Sequence, residues 1–505
     1  MSGSGQRPAA AAGETGMLNA WSRFCFNGSV LCVFLYIALC SFDISPWRLI
    51  PWRPEVVAGC CFLFCSGRWL RLLPRVWPLA AGLALFLGWA AFAAWLAGKG
   101  HPEQVARYAL RSLVKHWGIP SCFIIWSAMT FSLLPRARAR SLFFAATMTL
   151  AALNSVHILG ELAANAGIQP VKSFLISINH FFRLEKIGHG WWPPVFWEGR
   201  IRGLFAEPSH LAFALLPALG LFLYKSLQQR IWLLAVAAWL GVMVLGAITS
   251  GLLSFAIVFF LFLLPALHRL YRRHARGFSL VLASLFCATL LAAWPLAQRK
   301  CQQMEPYIDA AASLCAYVHD AHEGKNPVWH PLQINLGASS LNTRLVTNWL
   351  DIDMGLAHPL GIGFFLRGFY WKPLDNCDLA RSGEIRGYVL QARDDPFRGI
   401  PLLNQYTCIF AECGWPGLFL FCSMLFWFLL WTIACAKKRQ DRYLWCIACA
   451  FTGMCAAFMV IPLVNFHMFF VFTGYLYSIS SSREQETSPS RSRVKSTSTP
   501  KKDAE

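Results

Sequence analysis

The stretch Val76-Trp-Pro-Leu-Ala-Ala-Gly-Leu-Ala-Leu-Phe-Leu-Gly-Trp-Ala-Ala-Phe-Ala-Ala-Trp-Leu-Ala97 contains no ionisable residue. At 1.5 Å per residue, a helix of this length covers the ~30 Å hydrocarbon core of a bilayer. It is apolar all round, whereas a surface helix of a soluble protein carries a single apolar stripe. The same pattern recurs on both sides. Approximate spans are 24–42, 51–67, 76–97, 117–134, 141–164, 207–224, 231–249, 251–267, 277–297, 407–435, 443–462 and 464–480. The expected fold is therefore an all-α polytopic membrane protein of about 12 transmembrane helices.

Composition agrees. The 505 residues are 56% hydrophobic and 14% charged, against about 25% charged in soluble chains. A net charge of +20 would point to nucleic acid in a soluble protein. Here no basic stretch alternates with stacking aromatics, so nucleic acid is excluded as a partner and the cations are assigned to cytoplasmic loops. Residues 1–16 are polar and Ala/Gly-rich, and the first apolar run is followed by no small-residue cleavage site, which reads as a retained helix. Most of the 18 Cys sit in apolar runs, where Cys is a small hydrophobe. Cys446-x-x-Cys449 lies in mid-span and reads as structural, while Cys301, Cys315 and Cys377 fall in the largest loop, where an oxidising compartment would let two of them pair.

Orientation follows from short loops. Arg68/Arg71/Arg75, Arg136/Arg138/Arg140, Lys225/Arg230, Arg269/Arg272/Arg273/Arg276 and Lys437/Lys438/Arg439/Arg442 follow every second span. That alternation puts both termini in the cytoplasm. One loop resists: 98–116, assigned outside, holds Lys99, Arg107, Arg111 and Lys115, so either the local topology differs or that surface meets an anion. The organisation expected is helices 1–9 over residues 1–297, including an outside loop at 165–206, a large extracytoplasmic loop at 298–406, helices 10–12 over 407–480, and a tail at 481–505 whose Ser/Thr/Lys/Arg/Pro content predicts disorder. In loop 165–206, His180, Arg183, Lys186 and His189 accompany Trp191, Trp192 and Trp197, which read first as interface anchors.

Three segments carry candidate chemistry. Arg200-Ile-Arg202-Gly203-Leu-Phe-Ala-Glu207-Pro208-Ser209-His210 enters a span from outside. Charges at that boundary are costly unless paired or solvated, and guanidinium forks match phosphate oxygens. The plainer reading is that Glu207 pairs with Arg200 or Arg202 and caps the helix. In the large loop, Arg344 precedes His358-Pro-Leu-Gly361-Ile-Gly363, whose glycines permit a sharp turn. Asp351-x-Asp353 has the form of a two-carboxylate cation site, although loop acids are more commonly solvated or ion-paired. The third segment, Asn404-Gln-Tyr-Thr-Cys-Ile-Phe-Ala-Glu412-Cys-Gly414-Trp-Pro-Gly417, leads into a span.

Together these segments resemble the O-antigen polymerase and ligase superfamily of bacterial surface-glycan assembly. Arg202 to Ser209 is similar to the R-x-G-x-F-x-E-P segment of many polymerases. Arg344 with His358 to Gly363 resembles the loop arginine and H-P-x-G-x-G stretch, and Asn404 to Gly417 resembles the H-N segment returning to the membrane. Two positions depart: Leu403 stands where ligases carry histidine, and Ser250-Gly251 stands where the family has Ser-Arg. The first favours polymerase over ligase. The resemblance implies a GT-C-like fold in the bacterial inner membrane and a substrate glycan on undecaprenyl pyrophosphate among membrane lipids. It also implies a chain-length regulator and a flippase as partners, and neither cofactor nor metal. Its implied catalytic residues are Glu207, His210 and His358, and its implied substrate-binding residues are Arg200, Arg202, Arg344, Asn404 and Glu412. A transporter is the alternative of a different class, opposed by the scarcity of ionisable residues in mid-span.

Overall fold

The computed structural model describes residues 10–41, 54–99, 102–182, 196–205, 207–245, 249–273, 340–370, 388, 392, 394–398, 403–459 and 467–482. No strand occurs among them. The first helices are α1 (Ala10–Ala38), α2 (Pro54–Cys65), α3 (Leu73–Gly98) and α4 (Glu103–Leu113), followed by a π-helical turn at Val114–Gly118. Next come α5 (Ile119–Ser132), α6 (Arg136–Asn165), α7 (Gln169–Phe182), α8 (Pro208–Ala214), α9 (Leu216–Ser226), α10 (Trp232–Leu245) and α11 (Thr249–Arg273). Beyond residue 339 lie α12 (Ser340–Ala357), the single turn α13 (Arg367–Tyr370), α14 (Gln405–Lys438), α15 (Arg442–Ala457) and α16 (His467–Ser481).

Four of these are long and apolar enough to cross a membrane: Asn19–Ala38 within α1, and α3, α6 and α14. The pair α8 and α9, bent by 45° at its break, makes a fifth if taken as one span. The chain is thus an α-helical membrane protein, but the twelve long spans expected are not met among the described residues. The reason is local. Several apolar runs are interrupted, so that their helices stop short of ~20 residues. Among the described residues of run 51–67, α2 is twelve residues long, and Pro217 opens α9 where an unbroken helix was expected. Run 277–297, the tail from 483 onward, Cys301, Cys315, Cys377, Arg183, Lys186, His189, Trp191 and Trp192 lie outside the described residues.

The long helices turn apolar side chains outward. Val156 on α6 is 73% exposed and Phe419 on α14 is 70% exposed, positions that lipid would cover. Inward, α5, α6 and α16 pack through aromatic rings: Phe143 stacks on Tyr475 with centroids 3.9 Å apart, and Phe131 meets the same ring edge-on at 4.8 Å.

The bundle has two distinct ends. At one, Tyr477 donates to the Arg75 carbonyl at 2.6 Å, Ser132 bonds Ser478, and Arg136 and Arg140 both pair with Asp441. Arg439 donates to the Ile479 and Ser480 carbonyls, closing the C-terminus of α16. Here the start of α3, the start of α6 and the end of α14 gather their Arg and Lys clusters into one basic belt. The other ends of those three helices carry Gly98, Asn165 and Gln405, and there the three motif segments assemble.

Candidate functional site

Helix α14 does not run straight. Gly414 adopts φ 66°, ψ −169°, and Pro416 brings no N–H to the chain, so carbonyls on the first limb lose their intrahelical donors. The His358–Gly363 segment supplies replacements. Ile362 N–H donates to the Ala411 carbonyl at 3.0 Å and Gly363 N–H to the Glu412 carbonyl at 2.9 Å, while Trp415 N–H turns to the Pro359 carbonyl at 2.9 Å. The indole of Trp89, on α3, donates to the Cys413 carbonyl at 2.8 Å. Backbones meet so closely that a Cβ on Gly414 would overlap the Pro359 carbonyl oxygen, and one on Gly361 would strike the Glu412 oxygen. Two motifs lying some fifty residues apart in sequence are thus one interlocked clasp.

Beneath the clasp lies a charged network. Arg367, 2% exposed, donates from Nη1 to Asp351 Oδ1 at 2.6 Å, and its Nε sits 3.5 Å from Glu412 Oε1. Glu412 Oε1 also accepts the Phe365 N–H at 3.1 Å. Thr407 Oγ1 lies 3.3 Å from Asp351 Oδ2 and 3.4 Å from Asn348 Oδ1. Burial acts against the Arg367 charge, but the carboxyl groups of Asp351 and Glu412 raise its pKa, so it stays a cation. On α12, Arg344, Thr347, Asn348 and Asp351 share one face by their spacing; Asn348 and Asp351 show that it faces α14, and half-buried Arg344 sits one turn before them.

The Arg200–His210 segment forms a second network on α6. Glu161 Oε2 accepts the Arg202 and Gly203 N–H groups at 3.0 and 2.8 Å, and Asn154 Oδ1 accepts the Leu204 N–H at 3.0 Å. His157 Nδ1 lies 3.6 Å from Glu161 Oε1, and its Nε2 lies 3.0 Å from Asn179 Oδ1 on α7. Gly203 has φ 56° and no room for a Cβ beside the Asn154 oxygen. The Arg202 side chain is 1% exposed; burial lowers its pKa to about 10 against the opposing pull of Glu161. Trp197 lies within 6.0 Å of the Arg202 guanidinium and 5.4 Å of that of exposed Arg200.

The sequence-derived candidates are therefore distributed as follows. Arg200, Arg202, Glu207 and His210 share the α6 network and the start of α8. Glu207 stands at the N-cap of α8, but its side chain makes no capping bond; it accepts from Ser209 Oγ at 3.1 Å and lies 3.9 Å from His210 Nε2. His358 and Glu412 belong to the clasp, and Arg344 lies on α12 one turn before Asn348. His358 is exposed and meets Tyr370 edge-on at 4.9 Å. Asn404 caps α14, accepting from Tyr406 and Thr407 N–H at 2.9 and 3.4 Å, so its carboxamide oxygen is occupied by its own helix. Asp351, considered above as half of a cation site, is held by Arg367 instead. The two networks share a wall: Phe213 on α8 packs on Phe458 with centroids 5.5 Å apart, and the Phe458 carbonyl accepts the Gln405 N–H at 2.8 Å.

Arg367, Glu161, His157 and Asn154 escaped the sequence reading, although signals were present. Arg367 is the lone charge in Ile362–Gly368, and Asn154, His157 and Glu161 recur at spacings of three and four in an apolar run, on one helix face.

No known family model matches the chain, and comparison with curated proteins returns no match. Fold and site define a class: an α-helical membrane protein with buried arginine–carboxylate networks at one end and a basic belt at the other.

Proposed function

We propose that this protein is a glycosyltransferase of the bacterial inner membrane that polymerises oligosaccharide units carried on undecaprenyl pyrophosphate, working on the periplasmic face. The observation that carries the reading is the clasp. The His358–Gly363 and Asn404–Gly417 segments, which resemble separate family motifs, pack as one unit over the Arg367 network, with Arg344 on the facing side of α12.

In this reading the acceptor hydroxyl attacks the anomeric carbon of the donor, and the bond from that carbon to the pyrophosphate oxygen breaks. Glu207, beside His210, takes the hydroxyl proton. Exposed Arg200 and half-buried Arg344 neutralise charge on the leaving pyrophosphate. Arg202 is too deeply buried for direct contact and instead holds the Trp197–Gly203 turn in place. His358, on the exposed rim, orients the acceptor, and no metal or cofactor takes part.

The proposal includes a GT-C-like plan with both termini cytoplasmic and residues 298–406 periplasmic. The shorter apolar helices and run 277–297 then also cross, giving about twelve passages, and a flippase and a chain-length regulator act as partners. The test is the surface polysaccharide of a deletion strain complemented with wild type, Arg200→Ala or Arg344→Ala. Lost polymer with accumulating lipid-linked single units, unrescued by either variant, is the expected result. An unchanged ladder overturns the proposal; intact polymer stranded on the carrier makes the protein a ligase.

A further inference from the structure

Helix α4 and the π-helical turn after it lie at the site end of the bundle. His116 stacks on Phe365 with ring centroids 4.4 Å apart, and Tyr108 donates its hydroxyl to the Phe397 carbonyl. This is the end away from the basic belt, yet the segment is itself basic. Its faces are segregated. Val105, Ala109, Ser112 and Leu113 are buried, the first two in a small core with Ala94 and Leu366.

Arg107, Arg111 and Lys115 recur at every fourth residue, all exposed, in one line along the helix. Arg107 meets Glu103 at 2.6 Å in a pair whose members are 74% and 77% exposed, an arrangement of little energetic worth. Leu110 and Val114 are exposed between the cations. On neighbouring α3, Phe92 and Trp95 are exposed, and Lys99 Nζ lies 3.9 Å over the Trp95 ring. Cations above an aromatic and aliphatic border are the composition of a helix lying in a membrane interface. Dimension selects the ligand: from Arg107 to Lys115 the line extends ~12 Å, longer than one phosphate or pyrophosphate group.

We propose that α4 lies on the leaflet surface at the site end and that Arg107, Arg111 and Lys115 bind the phosphate headgroups of anionic phospholipids. Leu110, Val114, Phe92 and Trp95 enter the acyl boundary beneath. Through Leu366, Phe365 and Phe397, this anchor sets the depth at which the Arg367 network sits. The inference does not depend on the glycosyltransferase reading.

Native mass spectrometry of the full-length protein tests it, with titrations of phosphatidylglycerol, phosphatidylcholine and a polyprenyl pyrophosphate. Wild type is compared with Arg107→Gln/Arg111→Gln/Lys115→Gln. The basic belt is unchanged in every variant, so the difference between them isolates α4. At about five-fold per cation, the triple variant should lose roughly a hundred-fold in phosphatidylglycerol affinity at these positions, with phosphatidylcholine retention unaltered. Equal phosphatidylglycerol binding overturns the proposal. So does loss confined to the polyprenyl pyrophosphate, which would make α4 a carrier dock. If the triple variant fails to fold, Arg111→Gln alone should lose about five-fold while Arg107→Lys/Arg111→Lys keeps wild-type binding; no loss in the single variant overturns the proposal equally.

Discussion

A guanidinium 2% exposed, as at Arg367, costs several kcal/mol to desolvate, and Asp351 and Glu412 offset that cost only as a set. Arg367→Met leaves two buried carboxylates without their cation, and a loss of about 3–5 kcal/mol is expected, read as a lower melting temperature in detergent. Arg367→Met combined with Asp351→Asn and Glu412→Gln should recover part of that loss, and a single variant as stable as wild type would refute the account. His116 makes a second prediction. Burial, assisted by Lys115, lowers its pKa from 6.5 to about 4, so the unfolded chain binds more protons than the folded one between those values. Stability conferred by neutral His116 is therefore present above pH 6.5 and declines as pH falls toward 4, by about 2 kcal/mol at pH 5. His116→Gln should flatten that part of the melting-temperature profile; an unchanged slope would exclude His116 as its source. At this scale Glu412, Glu207 and Arg202 were legible in the sequence because charges stand out in apolar text. Arg367 is likewise a lone charge in Ile362–Gly368, but that its partners are Asp351 on α12 and Glu412 on α14 is visible only in the fold.

At the scale of the element, the break in α14 is the decisive feature. Pro416 announces it in the sequence, but a proline inside a span also occurs without a sharp break, as Pro78 within α3 illustrates. What completes the break is Gly414 at positive φ against the Pro359 carbonyl. Gly414→Ala combines a strained backbone with a steric overlap, and a loss of more than about 2 kcal/mol is expected. Gly82→Ala is the contrasting substitution. Its Cβ meets no atom within 4 Å in the interior of α3, so stability should be unchanged or rise by about 0.5–1 kcal/mol. Parallel thermal melts decide the matter, and equal behaviour of the two variants would show that the clasp contributes nothing. Asn404, named for substrate binding on the resemblance alone, has its carboxamide oxygen engaged as the N-cap of α14 by Tyr406 and Thr407 N–H.

At the scale of the whole molecule, the basic belt and the site end impose a polarity. In the proposed orientation, taken from the positive-inside rule, the belt faces the cytoplasm. Alkaline phosphatase fused after Ser482 should therefore be inactive, and the same reporter inserted at exposed His358 should be active. The opposite pattern would reverse the orientation. The cations of α4 are the exception at the site end, and they are segregated onto one exposed face.

The sequence by itself determined the membrane class and the helical content, and it marked the basic clusters that open α3 and α6 and close α14. Hydropathy and charge are local, nearly additive properties of a run of residues, so they survive without knowledge of the fold. Tertiary structure alone decided how many of the described runs form long unbroken helices, that His358–Gly363 supplies donors to Ala411 and Glu412, and that Arg367 pairs with Asp351. Those outcomes depend on which distant segment reaches a given carbonyl or carboxylate, because a polar group buried away from water must find a protein partner.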